Sequence, residues 1–179
     1  MSTENGEFSA RSALVTVPLG VLKAGSIDFT PPLPEAVAGP IERLGMGVFN
    51  KIFIQFPERF WNDDSYVLRA LGEAGEHWHS WYDVSAVSGL PTLLTFAAGP
   101  FGRRMQELSD DEIVADVVRA LRDLYPDAVG EPTAHWVTRW GHDAFSNGSY
   151  SHLAVGSSHH DHDAVSYTHL RAHETSLHL

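Results

Sequence analysis

The stretch NKIFIQF, residues 50–56, is the clearest strand signal in the sequence. Every second residue from Ile52 is apolar and alternates with Lys51, Phe53 and Gln55, the period of two that separates the faces of a sheet. The pattern predicts one face in the core and one face that carries Lys51. A sheet with one solvated face explains a lysine there without any function. If that face instead meets a ligand, a desolvated ammonium can orient a water or exchange protons, and Phe53 fits a partly apolar cavity.

The rest of the sequence predicts further helices and strands. Ser109 and Glu112 form a capping box before an apolar stripe at helical spacing, so residues 109–125 are predicted to be a helix that Pro126 ends. A second helix is predicted from Pro34 to about residue 44. Further strands are predicted at residues 12–17, 92–98 and 135–140, with a turn at 99–104. The sequence pattern of residues 65–88 favours neither a helix nor a strand.

The composition limits the possible functions. With 179 residues, the chain has room for one ordinary domain with a real core. The lack of cysteine excludes disulfides, thiolate catalysis and cysteine-ligated zinc or iron–sulfur sites. A formal net charge of −11 makes nucleic acid a poor partner and would attract a cationic substrate. No apolar run is long enough to span a bilayer, and the N-terminal residues do not have the pattern of a signal peptide. We therefore expect a cytoplasmic protein without a membrane partner.

Aromatic residues gather in the C-terminal third of the chain. Trp136, Thr138 and Trp140 share one face of their predicted strand, and Tyr150 and Tyr167 follow. An aromatic-lined pocket suits a flat ring, and an aromatic cage suits a cationic amine. Core packing is the simpler explanation, and for Trp136 it is the preferred one.

The histidines are candidate metal ligands. His159, His160 and His162 alternate with Asp161 and Asp163, but neighbours in one run rarely make a closed metal site, so a solvated loop is predicted. His77 and His79 lack a third ligand and are interpreted as structural. No Gly-x-Ser-x-Gly unit is present, which leaves serine hydrolase chemistry without support. We therefore assign no metal site.

Four segments, in this order and spacing, carry a family resemblance. They are residues 15–23 (VTVPLGVLK) with 27–34 (IDFTPPLP), 43–56 (RLGMGVFNKIFIQF) reaching 60–61 (FW), 108–112 (LSDDE), and 137–151 (VTRWGHDAFSNGSYS) continuing to 155–158 (VGSS). Over about residues 3–163 the chain resembles the flavin-containing amine oxidases, a family of monoamine oxidases, polyamine oxidases and lysine-specific histone demethylases. The polyamine oxidase branch is the nearest.

The resemblance implies roles for particular residues. Lys51 matches the lysine that holds a water against the flavin, and Trp140 matches an aromatic residue packed near it. Tyr150 matches one wall of an aromatic sandwich that aligns the substrate amine, beside which Phe53 is a further substrate-binding candidate. Val17, Pro18 and Leu19 match a segment that touches the cofactor, FAD. The implied reaction removes a hydride from the carbon beside the nitrogen of an amine or polyamine, hydrolyses the imine, and uses O2 to form hydrogen peroxide.

The resemblance also implies an α+β fold. Residues 1–24 would form the edge of a Rossmann-like FAD-binding domain, and 25–135 a substrate-binding domain with a mixed β-sheet backed by helices. Residues 136–164 would return toward the flavin. Residues 165–179 have no core-forming period, and we interpret them as a non-native tail.

One departure from the family bears on activity. The Gly-x-Gly-x-x-Gly unit that seats the FAD pyrophosphate does not occur in the sequence, so we expect a fragment that is inactive alone. Two alternatives stay open. One is another flavin oxidoreductase of the same fold, of the protoporphyrinogen oxidase or desaturase type. The other is a non-catalytic binding or metal module that uses His159, His160 and His162.

Overall fold

A computed structural model describes residues 1–62 and 64–166 of the chain. Most of the predicted tail, and Tyr167 with it, lies outside the described residues. None of the helices within the described ranges has the length and apolar character of a transmembrane segment. The described residues combine helices with three β-sheets.

The largest sheet has five strands. They are β4 (Phe49–Gln55), β5 (Val67–Arg69), β6 (Ser80–Asp83), β7 (Thr92–Ala98) and β8 (Ala134–Val137). Their spatial order is β5-β6-β7-β4-β8, and each pair of neighbours is antiparallel. The expected mixed sheet is therefore wrong for the described strands. Short connections from β5 to β6 and from β6 to β7 enforce the antiparallel pairing, because parallel neighbours need a long crossover.

Strand β4 confirms the predicted alternation. Ile52 and Ile54 are almost fully buried, whereas Lys51, Phe53 and Gln55 are half-buried on the opposite face. The predicted strand at residues 92–98 is confirmed as β7, which pairs with the whole length of β4. One face of the sheet is therefore closed by core packing, and the other, which carries Lys51, remains open.

The closed face packs on helix α5 (Asp110–Leu124). Ser109 and Glu112 form the predicted capping box, and both its hydrogen bonds are present. The buried stripe of α5 comprises Ile113, Val117 and Leu121, which meet the inward side chains of the sheet in one core. A helix stripe against the inward side of a sheet is how a two-layer α+β unit buries its apolar surface.

Shorter elements complete the described chain. The helices are α1 (Leu19–Lys23), α2 (Glu35–Arg43), α3 (Ser85–Ser88), α4 (Gly99–Met105) and α6 (His159–Ser166), with a 3-10 turn at Gly72–Gly75. Two small sheets pair β1 (Ser2–Thr3) with β2 (Gly6–Glu7) and β3 (Gly45–Met46) with β9 (Ser151–His152).

Three predictions of local secondary structure are wrong. The predicted turn at residues 99–104 is helix α4, since Pro100 occupies the first helical turn, where a proline costs no hydrogen bond. The predicted loop at 159–163 is the start of α6, which an ion pair of Asp161 holds against α2. Residues 12–17 are not a strand, and Leu14 and Val15 are exposed. An apolar, β-branched run becomes a strand only when another strand pairs with it, and the described residues offer it none.

Lys23 connects helices α1 and α2. Its Nζ donates three hydrogen bonds, to the carbonyl oxygens of Ile41 (2.9 Å), Glu42 (2.8 Å) and Leu44 (2.8 Å). These carbonyls are at the end of α2, where helical acceptors lack partners and a cation is favoured. Lys23 therefore fixes α1 against the end of α2 that leads into β3 and β4.

Candidate functional site

Lys51 lies on the open face of the sheet, and its backbone is held from the side of β8. Its amide donates to Thr138 Oγ1 (2.7 Å), and the Thr138 amide donates to the Lys51 carbonyl (2.9 Å). On its other side Lys51 is opposite Phe96 of β7. Residues opposite each other in a sheet share a face, so Lys51 stands between the Thr138 and Phe96 side chains.

A row of aromatic rings runs across this face. The ring of Tyr150 meets that of Phe49 edge-on with centroids 5.5 Å apart, and Phe49 lies 4.8 Å from Phe96. Phe96 continues to Tyr82 at 5.3 Å, and Tyr82 to Tyr66 at 5.8 Å. All four separations are within the range of favourable aromatic pairs. The row joins Tyr150 to the far edge of the sheet and passes directly beside Lys51.

A cavity of about 530 Å³ opens along this row. Its aromatic lining consists of Phe49, Tyr66, Tyr82, Phe96 and Phe101. Its polar lining consists of Arg69, Glu76, His77, His79 and Ser80. The volume is in the range of small-molecule sites, which are mostly apolar with a few polar groups.

On the closed side of the sheet, the Asn50 side chain connects β4 to the backbone at Trp140 and to α4 at Gly102. It is completely buried, its Oδ1 accepts a hydrogen bond from the Trp140 amide (3.0 Å), and its Nδ2 approaches the Gly102 carbonyl (3.5 Å). A buried carboxamide keeps its place only when its polar atoms are satisfied, so it fixes the position of the backbone at Trp140. Gln106, also buried, accepts from the next amide, that of Gly141 (2.8 Å).

The segment after Trp140 returns to the beginning of β4. Ser149 Oγ accepts from the Phe49 amide (2.6 Å), and the Tyr150 carbonyl accepts from the Gly47 amide (2.6 Å). Gly148 has φ +139°, and a Cβ there would overlap Met46. These contacts place the Tyr150 ring beside Phe49 while leaving 60% of the residue exposed.

The predicted cofactor-contacting residues lie next to this segment. Pro18 precedes α1 and Leu19 begins it. The following residue, Gly20, is buried against the backbone of Ser146 and Asn147, where a Cβ would not fit. The segment that carries Val17, Pro18 and Leu19 therefore packs on the loop between Trp140 and Tyr150.

The structure brings only some of the predicted site residues together. Lys51, Trp140 and Tyr150 are linked through β4, Asn50 and Phe49, as described above. Phe53 shares the open face, but it lies opposite Trp136, which is 55% exposed rather than in the core, and it does not line the cavity. Phe49, which sequence reasoning did not single out, lines the cavity, whereas Lys51, Trp140 and Tyr150 do not. His77 and His79, interpreted as structural, both line the cavity.

Two buried or half-buried carboxylates, Asp161 and Asp83, are strongly hydrogen-bonded. Arg43 donates to Asp161 Oδ1 (2.5 Å) and the Ser158 amide to Oδ2 (2.7 Å), which together lower the pKa of Asp161 although its burial opposes this. Burial likewise raises the pKa of Asp83, but hydrogen bonds from Ser85 and Trp61 outweigh it and leave the pKa below its ordinary value. Both side chains are structural anions, and neither lines the cavity.

Metal binding has no geometric support in the described ranges. No three or more histidine, aspartate or glutamate side chains converge there as metal ligands. The histidines of the run 159–163 are instead distributed along α6, and its buried member, Asp161, is engaged by Arg43.

Comparison with known proteins identifies several similar chains. Residues 1–173 match the profile of the family described as flavin containing amine oxidoreductase. The chain is 42% identical over 170 residues to lysine-specific histone demethylase 1 homolog 1 of Arabidopsis thaliana, covering 91% of this chain and 20% of that protein. It is 41% identical over 157 residues to polyamine oxidase 4 of Oryza sativa subsp. japonica, covering 87% of this chain and 32% of that protein.

Among solved structures, a putrescine oxidase redesigned in cofactor binding is similar, with a TM-score of 0.63 and 23% identity. The alignment covers 76% of this chain and 30% of that one, and at this identity it shows a shared fold alone. The chain thus spans about a fifth of the length of the demethylase and a third of that of the polyamine oxidase.

Asn50→Ala should loosen the connection between β4 and Trp140. The Trp140 amide would lose its acceptor inside the protein, which costs about 1–3 kcal/mol for a buried polar group. We expect a matching loss in the free energy of urea unfolding and faster hydrogen exchange of the Trp140 amide. Gln55→Ala is the control, since its side chain donates to Thr133 at the exposed end of the same strand. Equal effects of the two substitutions would contradict the role of Asn50.

Asp161→Asn should make the free energy of unfolding less dependent on pH in the acidic range. A carboxylate with a lowered pKa stabilises the fold above its unfolded pKa, 3.8, and that contribution disappears as the pH falls through the lower folded value. The variant should be less stable than the parent near neutral pH, and the difference should close below pH 3.8. Thermal unfolding across this range measures it. Asp163→Asn, an exposed residue of the same helix, should show no such convergence.

Proposed function

Because the chain belongs to the flavin-containing amine oxidoreductases, we propose that it supplies the substrate-binding part of an FAD-dependent amine oxidase. The substrate is a primary or secondary amine or a polyamine, and O2 is the oxidant that yields hydrogen peroxide. The observation that carries the proposal is the open sheet face, where Lys51 stands beside a row of aromatic rings that ends at Tyr150. Such a face suits a flat cofactor and an amine.

Two exposed aromatic residues of the segment 140–150 fit a flavin. Trp140 is 37% exposed and Tyr150 60% exposed, although both rings belong to an ordered, hydrogen-bonded segment. Exposed aromatic rings on a rigid scaffold are what a flat ring system covers favourably. Trp140 and the segment of Val17, Pro18 and Leu19 would hold the cofactor, since that segment packs on the same loop. When bound, FAD supplies the hydride acceptor.

The protein's own groups would bind the amine and control water. Tyr150 and Phe49 present an edge-to-face pair whose ring surfaces attract an ammonium or an apolar amine. Lys51 can hold a water by hydrogen bonding from its ammonium, because its backbone is fixed on both sides by β7 and β8. That water would hydrolyse the imine product. Phe96, which is opposite Lys51 on β7, lines the cavity, whereas Lys51 does not.

Most of the contacts that retain FAD would come from residues other than those of this chain. The sequence has no Gly-x-Gly-x-x-Gly unit to seat a pyrophosphate. Trp140 and residues 17–19 would contact only the flavin part of the cofactor. We therefore propose that the chain alone neither binds FAD tightly nor oxidises amines.

The purified chain should lack a stoichiometric flavin spectrum. Without a phosphate-binding loop, the contacts of Trp140 and residues 17–19 are too few to retain FAD through gel filtration. Visible absorbance of the purified protein measures bound flavin, and far-ultraviolet circular dichroism confirms that the sample is folded. One flavin per folded chain would overturn the proposal.

In a holoenzyme that contains residues 1–166 of this chain, Lys51→Met should slow turnover. Methionine keeps the length of the side chain but cannot hold the water, so flavin reoxidation by O2 or imine hydrolysis should slow by at least about tenfold. Stopped-flow absorbance after anaerobic reduction by substrate measures the first step. Gln55→Met, on the same face of β4, is the matched control and should leave the rate unchanged. An unaltered rate in Lys51→Met would exclude the assigned role.

A further inference from the structure

Arg139 lies between two residues of the candidate site whose backbones are held. The preceding residue, Thr138, exchanges hydrogen bonds with the Lys51 backbone, and the following residue, Trp140, donates its amide hydrogen to Asn50. The Arg139 side chain is only 25% exposed, and the proposed binding of cofactor and amine does not use it. A long charged side chain is seldom buried to this extent unless its donors are paired.

The guanidinium of Arg139 contacts three groups of one short segment. Its Nε donates to the Gln106 carbonyl (3.3 Å), its Nη2 donates to the Leu108 carbonyl (2.7 Å), and its Nη1 lies 2.6 Å from Asp110 Oδ1. Residues 106–110, here called the α4–α5 connection, lead from the end of α4 to the first residue of α5. Carbonyls that follow a helix lack helical partners, so a guanidinium there satisfies acceptors that the helix cannot.

The α4–α5 connection also contacts the residue that follows Trp140. The Gly141 amide donates to Gln106 Oε1 (2.8 Å), and a Cβ at Gly141 would lie 2.6 Å from that same oxygen. The Trp140 carbonyl accepts from the Gly148 amide (2.8 Å). The backbone on either side of the Trp140 ring is therefore braced, and Arg139 supplies three of the contacts with the α4–α5 connection.

We propose that Arg139 is a positioning residue, which fixes the Trp140 ring through the α4–α5 connection. The bracing rests on the contacts of Arg139, whereas its effect on the reaction rests on the proposed function, in which Trp140 contacts the flavin. A planar guanidinium directs its donors to three acceptors at once, which a lysine ammonium on a flexible stem does not. The geometry of the side chain, and not its charge alone, then holds the ring in place.

Arg139→Lys in the purified chain, labelled with fluorotryptophan, tests the bracing. Because the variant keeps the positive charge but loses the paired contacts, the fluorine resonance of Trp140 should broaden and move toward that of the urea-unfolded chain. The resonances of Trp78 and Trp81, which are buried in the core, should stay unchanged. Fluorine NMR measures all of them, and Trp140→Phe assigns the resonance of interest.

Arg122→Lys is the matched control, because the parent arginine pairs with Glu131 near the other end of α5. It should leave every tryptophan resonance unchanged. A uniform change of all resonances in Arg139→Lys would show a general loss of stability instead of a local one, and would overturn the proposal. An unchanged Trp140 resonance would overturn it as well.

The unsubstituted chain provides a second test, which does not depend on the folding of a variant. Since its Nε–H donates inside the protein, Arg139 should exchange that hydrogen with solvent at least about tenfold more slowly than Arg103, an exposed residue of α4. Nitrogen-15 NMR of the arginine Nε–H groups measures both rates. Equal rates would show that the guanidinium is not held, against the proposal.

The effect on the reaction is measured in a holoenzyme that contains residues 1–166 of this chain. Arg139→Lys should lower kcat per bound flavin by about tenfold and change the KM for the amine by less than about twofold, because misplacing a group of the site by about 1 Å slows the reaction. A merely structural role would lower the flavin content and leave kcat per bound flavin unchanged, and that result would overturn the proposal.

The fluorine and exchange measurements need no flavin. A failure of the bracing therefore differs from a failure of the proposed function, which would appear as an unaltered reoxidation rate in Lys51→Met.

Discussion

The buried carboxamide of Asn50 is the contact on which the arrangement of the site depends. It accepts from the Trp140 amide on the closed side of the sheet, one residue away from Lys51 on the open side. Because successive residues of a strand point to opposite faces, a polar group in the core can fix the backbone that presents a functional side chain outside it. Thr138 completes this arrangement with reciprocal hydrogen bonds to the Lys51 backbone.

The central part of the fold is predictable from the sequence because its signals are local. The alternation in β4 and β7, and the capping box and stripe of α5, are set by residues within a few positions of each other. Pairing partners are not local. Residues 12–17 have the composition of a strand, but no described strand pairs with them. Likewise, α6 replaces a predicted loop through Arg43 and Asp161, which are 118 residues apart in sequence.

The site was predictable in its chemistry more than in its geometry. Lys51, Trp140 and Tyr150 come from family motifs, and their roles stay predictions. Periodicity correctly assigned Phe53 to the face of Lys51, but it could not show that Phe49 lines the cavity, because strands that are distant in sequence form the cavity. Arg69, His77 and His79 lie in the segment whose sequence pattern is the least regular, and only the folded structure shows that all three line one cavity.

The strand order has a consequence for divergence among related proteins. Phe49 and Phe96 of the cavity lining belong to the interior strands β4 and β7, whereas Arg69 belongs to β5, at the margin of the sheet. Marginal strands tolerate substitution and insertion at little cost to folding, since few other parts rest on them. The residues that line the cavity at this margin can therefore diverge among related proteins while those on β4 and β7 stay constant.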